Sequence, residues 1–269
     1  YSLIFGHFGF TALCIHGADY DSIIAESMGL LVIYLVIHYQ KIGERFDLFR
    51  KFSFKWDYVQ LILTQSMPII AQYMISIISW EFFYILIEHR GEQALAVSNA
   101  MRNIFGFFGC FTWAFAATTT TMVSNIIGQN LQEKVIELIY KIMRWSFGFA
   151  LVVAILINVF AAQFLSIYGQ GDGFLTEGIP VLRIVSVALL LMSASTIWLS
   201  AVTGTGQSKV TLMIEFAAIV IYIIYNYLVL EYYKMPITFG WFSEVIYWLS
   251  LLIPSFFYIR TMRWKNKKI

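Results

Sequence analysis

Apolar runs long enough to cross a bilayer recur through almost the whole sequence. A bilayer core of about 30 Å needs about 20 apolar residues in a helix. The runs that approach or exceed that length span residues 22–39, 58–87, 94–127, 135–168, 174–202, 210–232 and 239–259, and the first ten residues resemble the end of a further helix. Backbone groups in lipid need internal hydrogen-bond partners, and no alternating pattern of a barrel appears. We therefore predict an all-α polytopic membrane protein with about seven transmembrane helices plus the end of a preceding one.

The composition restricts the class of protein further. Of 269 residues, 59% are hydrophobic and 13% are charged, whereas about 25% are charged in an ordinary soluble domain. This balance excludes a disordered chain, a nucleic-acid-binding module and a soluble enzyme domain. The sequence begins without Met inside an apolar stretch, and we expect it to be the C-terminal part of a longer protein.

The short connections between the apolar runs alternate between rich and poor in Lys and Arg. Residues 40–57 carry five, and further positive charges lie at 128–134, at Lys209 and in the C-terminal tail. Of the three intervening connections, the first carries only Arg90, the second (169–173) carries neither Lys nor Arg, and the third carries only Lys234. Because short loops rich in Lys and Arg stay in the cytoplasm, we predict that loops 40–57, 128–134 and 203–209 and the C-terminus are cytoplasmic.

Polar residues fall on one face in four of the predicted helices. At 100° per residue, these stripes contain Gln65, Gln72 and Ser76; Asn99, Arg102, Trp113 and Thr120; Glu215, Tyr222 and Asn226; and Glu244, Tyr247 and Trp248. Small and hydroxyl residues favour close packing of membrane helices, so helix packing is one interpretation. A polar cavity between helices is the other, and the acids, amides and aromatic residues in four stripes favour it.

Acidic residues inside membrane helices usually face a partner or water, because a charge in lipid is costly. Glu215 lies about six residues inside its helix, where either a gating role or a structural pair with another helix would explain it. Glu81 is predicted to face away from the stripe of Gln72. A pair with Arg102 of the next helix is therefore an alternative to a place in the same cavity. Glu26 and Glu244 lie nearer the outer surface, and either side chain could extend to the interface.

Sequence signatures of enzyme chemistry are missing. No P-loop, HExxH or GxSxG motif occurs, and Cys14 and Cys110 form neither a disulfide framework nor a metal-ligand spacing. We predict that the protein is not an enzyme and has no metal site, cofactor or nucleic-acid partner.

Three ordered segments at predicted helix ends resemble one transporter family. They are SMPIIAQ at 66–72, VSNIIGQ at 123–129 and VTGTGQSK at 202–209, and LIFG at 3–6 followed by Gly17 and Ala18 fits the same pattern. Together they resemble the MATE family of multidrug and toxic compound extrusion transporters over essentially the whole chain. The resemblance would place Tyr1 late in the fifth of twelve helices. It divides the chain into the end of a first lobe (1–40), a cytoplasmic inter-lobe linker (41–57), a second six-helix lobe (58–261) and a basic tail (262–269).

The resemblance implies an antiporter in which two helix bundles rock about a central cavity. Such proteins expel organic cations or other amphiphiles in exchange for H⁺ or Na⁺. Positions that carry acids in part of the family correspond here to Ser76 and to a position near Met192, which leaves the coupling ion open between the two. A hydroxyl of the first-lobe cation site falls at Ser22, a weak candidate for ion coupling.

On this resemblance, we expect the C-terminal portion of a cation-coupled multidrug exporter in a bacterial inner membrane. Half of a two-lobe transporter is not expected to transport by itself. The residues expected to line the cavity are Gln72, Ser76, Asn99, Trp113, Glu215, Tyr222 and Asn226. The expected partners are an amphiphilic or cationic small molecule and the bilayer, and the expected state is a monomer. A lipid-linked oligosaccharide flippase of the same superfamily is the alternative, and a membrane receptor or scaffold is a third class.

Overall fold

The computed structural model describes residues 14–45, 55–168 and 172–266, and within these ranges the chain is helical with no β-strand. The long helices are α1 (Cys14–Tyr39), α2 (Trp56–Glu88), α3 (Glu92–Gly128), α4 (Val135–Val159), α5 (Asp172–Gly204), α6 (Ser208–Asn226) and α7 (Ile237–Arg260). The all-α polytopic fold predicted from the apolar runs is confirmed. The predicted helix end within residues 1–10 lies outside the described residues.

Within the described ranges, six of these helices are long and apolar enough to cross a membrane, and α3 is the exception. It has 37 residues, but its sequence includes the run Thr118–Thr121 and several amides. Hydropathy therefore underestimates a helix whose polar side chains form hydrogen bonds with its own backbone. Thr118, Thr119 and Thr121, for example, each donate a hydrogen bond to the carbonyl four residues earlier on α3.

Two predicted helices end differently from the sequence interpretation. The run 135–168 is divided, because the backbone of Phe160 leaves the α-helical region and a short helix, Ala161–Ser166, follows α4. The run 210–232 is α-helical only to Asn226 and continues as a π-helix over Tyr227–Tyr232. A π-helical turn is rare and often occurs beside a functional site.

The chain divides into two compact units, residues Tyr1–Tyr58 and Val59–Ile269. The first unit contains α1, most of whose described side chains are exposed. The second unit contains almost all of α2 and the whole of the five following helices. The apolar core and the cavity described below belong to this second unit.

The connections of the second unit gather at two ends. At one end, Arg90 donates a hydrogen bond to the carbonyl of Lys234 at 2.6 Å, and His89 lies 3.4 Å from Glu231. At the other end, Ser124 donates to the carbonyl of Gly204 at 2.9 Å, and Arg260 reaches the hydroxyl of Tyr140 on α4. The loops poor in Lys and Arg thus share one end, and the loops rich in them share the opposite end.

Close approach of α3 and α5 depends on a glycine. A Cβ added at Gly204 would lie 2.8 Å from the backbone oxygen of Thr120 and 3.0 Å from Cβ of Val123. Helices in lipid associate through van der Waals packing and polar contacts, so small residues at such crossings matter. Next to this crossing, the fully buried ring of Trp198 on α5 packs against Tyr140 of α4 and Phe256 of α7.

Candidate functional site

A cavity of about 510 Å³ opens among five helices of the second unit. Its wall is built from α2, α3, α5, α6 and α7, whereas α4 contributes no lining residue. The volume lies within the range of about 300–1,000 Å³ that is typical of sites for small molecules. Polar stripes on α2, α3, α6 and α7 all contribute to the wall, as the helical arithmetic predicted.

Glu215 of α6 is the most extensively hydrogen-bonded acid of the wall. Its side chain is buried, and Oε1 accepts hydrogen bonds from the hydroxyls of Ser76, at 2.6 Å, and Tyr247. Its Oε2 accepts a longer bond, 3.5 Å, from the amide of Gln72. Donors from α2 and α7 thus converge on one carboxyl of α6. Such donors stabilise a carboxylate that also faces the cavity.

Glu244 of α7 has a different environment. It is 1% exposed, and its Oε1 accepts one hydrogen bond, from the hydroxyl of Tyr222 at 3.1 Å. Its Oε2 has no hydrogen-bond partner among the described residues, and neither has the indole N–H of Trp248 one turn further along α7. The expectation that Glu244 extends to the outer interface is wrong, because Tyr222 of the neighbouring helix α6 covers its carboxyl and holds it inside the protein.

Aromatic rings connect the two acids and form much of the apolar wall. The rings of Tyr222 and Tyr247 lie 5.6 Å apart between centroids, and Trp248 lies 4.9 Å from Tyr247. Phe105 of α3 packs against Trp248 at 6.5 Å. Ring faces bordering a cavity can bind the positive charge and the flat surface of an organic cation.

The charged side chains of the wall are three carboxyls and one guanidinium. Glu81, Glu215 and Glu244 supply the carboxyls and Arg102 the guanidinium. Arg102 lies over the ring of Tyr84 at 5.1 Å, and no salt bridge joins it to Glu81 in the described part of the chain. Their predicted pairing is therefore wrong, and so is the expectation that Glu81 faces away from the cavity. The cavity is wide enough that α2 contributes both the face that carries Gln72 and the opposite face that carries Glu81 to the wall.

Five of the residues that the sequence analysis selected line this cavity: Gln72, Ser76, Trp113, Glu215 and Tyr222. Asn99, on the same helix as Trp113, and Asn226 are not lining residues. Asn226 is fully buried, and neither of its amide atoms has a hydrogen-bond partner among the described residues. Ser22 is an exposed residue of α1 in the first unit, and its role in ion coupling stays a prediction.

The sequence analysis did not select Glu244, Tyr247, Glu81 and Arg102 as site residues. The signal for the first two was present, because Glu244, Tyr247 and Trp248 formed one stripe on α7. Position along α7 alone predicts Glu244 near the interface, because it contains no information about the neighbouring helix. In the described ranges, no group of three His, Cys, Asp or Glu side chains is arranged to hold a metal ion.

Comparison with known families gives one match. The family model described as MatE matches residues 68–228, which are about 60% of the chain and include α3, α4, α5 and α6. This range contains Gln72, Ser76, Glu215 and Tyr222 of the cavity wall.

Individual relatives are distant. An uncharacterized transporter of Bacillus subtilis (strain 168), YisQ, is 21% identical over 207 residues, which are 77% of this chain and 45% of that protein. A multidrug resistance MATE family transporter of the MOP superfamily in an outward-facing conformation superposes with a TM-score of 0.79 at 21% identity, covering 97% of this chain and 58% of that one. The chain thus spans about half the length of the relatives it matches.

A second solved structure has a pocket described in contrasting terms. It is a MOP superfamily transporter from Pyrococcus furiosus Vc1 (DSM3638), whose reversed binding-pocket polarity is described as suggesting a different function. It superposes with a TM-score of 0.80 at 21% identity and covers 99% of this chain and 60% of that one. At this level of identity, these superpositions establish a shared fold. The polarity of the cavity in this chain must be taken from its own residues.

Proposed function

The chain belongs to the MatE family, and from that premise we propose that it is the second lobe of a cation-coupled antiporter that exports organic cations by alternating access. In this proposal, residues 1–40 end the first lobe, 41–57 form the linker, 58–261 form the second lobe and 262–269 form a basic tail. The protein is a monomer in a bacterial inner membrane, with its C-terminus in the cytoplasm.

The charge of the cavity wall carries the proposal. Three carboxyls and one guanidinium line the cavity, so acidic groups outnumber basic ones even when one carboxyl carries a proton, and the potential attracts cations. Low-dielectric walls strengthen such a potential, because solvent screens it less than at an open surface. Glu215 is the carboxylate that we assign to the cation, since it is both hydrogen-bonded and part of the lining.

The aromatic wall supports a flat, amphiphilic cation as the substrate. Each contact between a cation and a ring face contributes about 0.5–2 kcal/mol. The aromatic residues that line the cavity include Tyr222, Tyr247, Trp248 and Trp113, and Tyr247 is hydrogen-bonded to Glu215. A substrate with a delocalised positive charge uses both the carboxylate and the rings.

Exchange follows if the organic cation and the coupling ion, H⁺ or Na⁺, bind the two states of the transporter with different affinity. No covalent step is needed, which agrees with a transporter and not an enzyme. A lipid-linked oligosaccharide flippase, the alternative, would be favoured by a basic cavity. Arg102 is the one basic residue in the wall that the structure describes, and it lies over Tyr84.

Transport in everted membrane vesicles of the full-length protein tests the proposal. Ethidium movement is followed under an imposed pH gradient and, separately, under a sodium gradient. Movement under one gradient is the expected result and identifies the coupling ion. Glu137→Gln is expected to move ethidium as the wild type does, because Glu137 is exposed on α4, away from the cavity. No movement under either gradient, with the protein present in the membrane, would contradict the proposal.

A further inference from the structure

Glu244 is a buried acid that the proposed contact between substrate and Glu215 leaves unexplained. It is 1% exposed, receives one hydrogen bond and has an oxygen without a partner in the described part of the chain. A carboxylate buried with so little compensation is costly, because its charge has lost water without gaining an ion partner. A carboxylic acid, which carries its own proton, fits this environment better.

Glu215 differs from Glu244 in the hydrogen bonds that reach it. Donors from Ser76, Tyr247 and Gln72 converge on Glu215, whereas Glu244 accepts one well-formed hydrogen bond, from Tyr222, and has the indole N–H of Trp248 as its other neighbouring donor. A negative charge is therefore compensated by more hydrogen bonds at Glu215 than at Glu244, so Glu244 is the acid whose surroundings favour the neutral form more strongly. Such divergence between neighbouring carboxyls is how proteins divide two roles between them.

The two acids are linked through a pair of tyrosines. Tyr247 donates to Glu215 and Tyr222 donates to Glu244, while the two rings contact each other with centroids 5.6 Å apart. Glu215 and Tyr222 lie two turns apart on α6, about 10 Å along the helix axis. The pair thus connects positions at different depths in the lobe, and a change of charge at one acid acts on the other across a medium of low dielectric.

We propose that Glu244 is a proton-exchange site of this lobe and that it releases its proton when an organic cation binds beside Glu215. The inference rests on the proposed function, since the organic cation is the exchange partner. The O–H bond of the Glu244 acid breaks, the proton passes to water in the cavity, and the carboxylate remains. The arriving cation compensates the new negative charge, so the net charge of the filled cavity is unchanged.

The other ionisable groups near Glu244 belong to four helices. They are Glu81 and Tyr84 on α2, Arg102 on α3, Glu215 and Tyr222 on α6, and Tyr247 on α7 itself. The lining residues of α5 are Thr, Ser and Leu, none of which titrates. Arg102 is held over Tyr84, and the remaining charged neighbours are acids. These acids disfavour a further negative charge at Glu244. A bound cation offsets their effect and so lowers the free energy needed to remove the proton from Glu244.

Proton release on ligand binding tests the assignment. Purified full-length protein in weakly buffered detergent solution is mixed with tetraphenylphosphonium, while pyranine reports pH and equilibrium dialysis reports binding. The wild-type protein is expected to release protons as it binds, and its affinity is expected to rise by up to about tenfold per pH unit where the proton is exchanged. Glu137→Gln, outside the cavity, is expected to behave like the wild type.

Variants of Glu244 separate the proposal from its alternatives. Glu244→Gln is expected to bind the cation without releasing protons and with an affinity independent of pH, and Glu244→Asp is expected to restore release. Binding by the wild type without release, or undiminished release from Glu244→Gln, would overturn the inference while leaving antiport intact. No binding by the wild type would instead overturn the proposed function, together with this inference.

A measurement without ligand covers the case in which Glu244→Gln folds poorly. The infrared spectrum of the wild-type protein is expected to contain the carbonyl band of a protonated carboxylic acid that persists at neutral pH. Glu244→Asp should keep such a band at a shifted position, and Glu137→Gln should leave it unchanged. A spectrum without any protonated acid band at neutral pH would contradict the assignment.

Discussion

Glu215 shows how one side chain can join neighbouring helices and still face a cavity. It accepts hydrogen bonds from α2 and α7 while it remains part of the cavity wall. The two interpretations that the sequence left open, a functional acid and a structural interhelix pair, therefore describe the same geometry. A buried carboxylate with several donors keeps its position, and a fixed charge binds a cation better than a mobile one.

Replacement of Glu215 by Gln is expected to weaken binding of tetraphenylphosphonium by at least about tenfold, which corresponds to about 1.4 kcal/mol. The amide retains an acceptor for Ser76 or Tyr247 but loses the charge that attracts the cation. Equilibrium dialysis of the purified full-length protein measures the change. Affinity equal to that of Glu137→Gln would show that the carboxylate of Glu215 does not contact the cation.

A smaller effect is expected from Tyr247→Phe. The change keeps the ring beside Tyr222 and Trp248 but removes one donor to Glu215. Loss of a hydrogen bond to a charged group costs about 1.5–3 kcal/mol, and part of this cost falls on the free protein. We therefore expect weaker binding than in the wild type but stronger binding than in Glu215→Gln, and the reverse order would contradict the role given to the hydroxyl.

At the scale of single residues, the sequence predicts faces better than partners. The stripes placed Gln72, Ser76, Glu215 and Tyr222 in the cavity wall, because helical periodicity determines which side chains share a face. The partners depend on which helices are neighbours, and periodicity within a helix contains no such information. Glu244 was misplaced for this reason, since its burial depends on Tyr222 of another helix.

The helices themselves follow from the length of the apolar runs, whereas their crossings depend on individual small residues. Apolar runs predicted every long helix in the described ranges within a few residues, apart from the earlier start of α1 and the breaks after α4 and α6. Those two breaks lie inside continuous apolar sequence. Composition contains no signal for them, because an apolar run is compatible with a continuous or an interrupted helix.

Two glycines at helix contacts provide a matched comparison. At Gly204 an added methyl group meets the backbone oxygen of Thr120, which cannot move without shifting α3, whereas at Gly240 it meets the end of the Leu230 side chain at 2.9 Å. Overpacking costs about 1–3 kcal/mol. Gly204→Ala is therefore expected to lower the thermal midpoint in detergent clearly, and Gly240→Ala is expected to lower it less.

A third glycine is the control for this comparison. Gly148 on α4 has no atom within 4 Å of an added Cβ, so Gly148→Ala is expected to preserve or raise the midpoint because Ala favours a helix by about 1 kcal/mol. Thermal unfolding of the purified full-length variants measures all three. Equal midpoints for Gly204→Ala and Gly148→Ala would mean that α3 and α5 do not approach closely at this crossing.

For the whole molecule, the alternation of loop charge agrees with the packing of the second unit. Arg90, Lys234 and the start of α5 lie at one end, and the loops after α3 and α5 meet the end of α7 at the other. An even number of membrane crossings between two loops requires them to share a side, and the helix count from the sequence gives the same grouping. The charge pattern thus separates the two ends, and the positive-inside rule assigns the cytoplasm to one of them.

That assignment gives a prediction for the orientation of the protein. Green fluorescent protein fused after Ile269 of the full-length protein is expected to fluoresce, and alkaline phosphatase at the same place is expected to be inactive, because the proposed orientation places the basic tail in the cytoplasm. Phosphatase inserted beside Lys234 is expected to be active, because that loop lies at the opposite end of the unit.

The reverse pattern would mean that the lobe has the opposite orientation in the membrane. Glu215, near the start of α6, would then lie closer to the outer surface, and Glu244, near the start of α7, closer to the cytoplasm. Proton release from Glu244 would have to be assigned to the cytoplasmic side, so the orientation decides the direction in which the proposed exchange drives export.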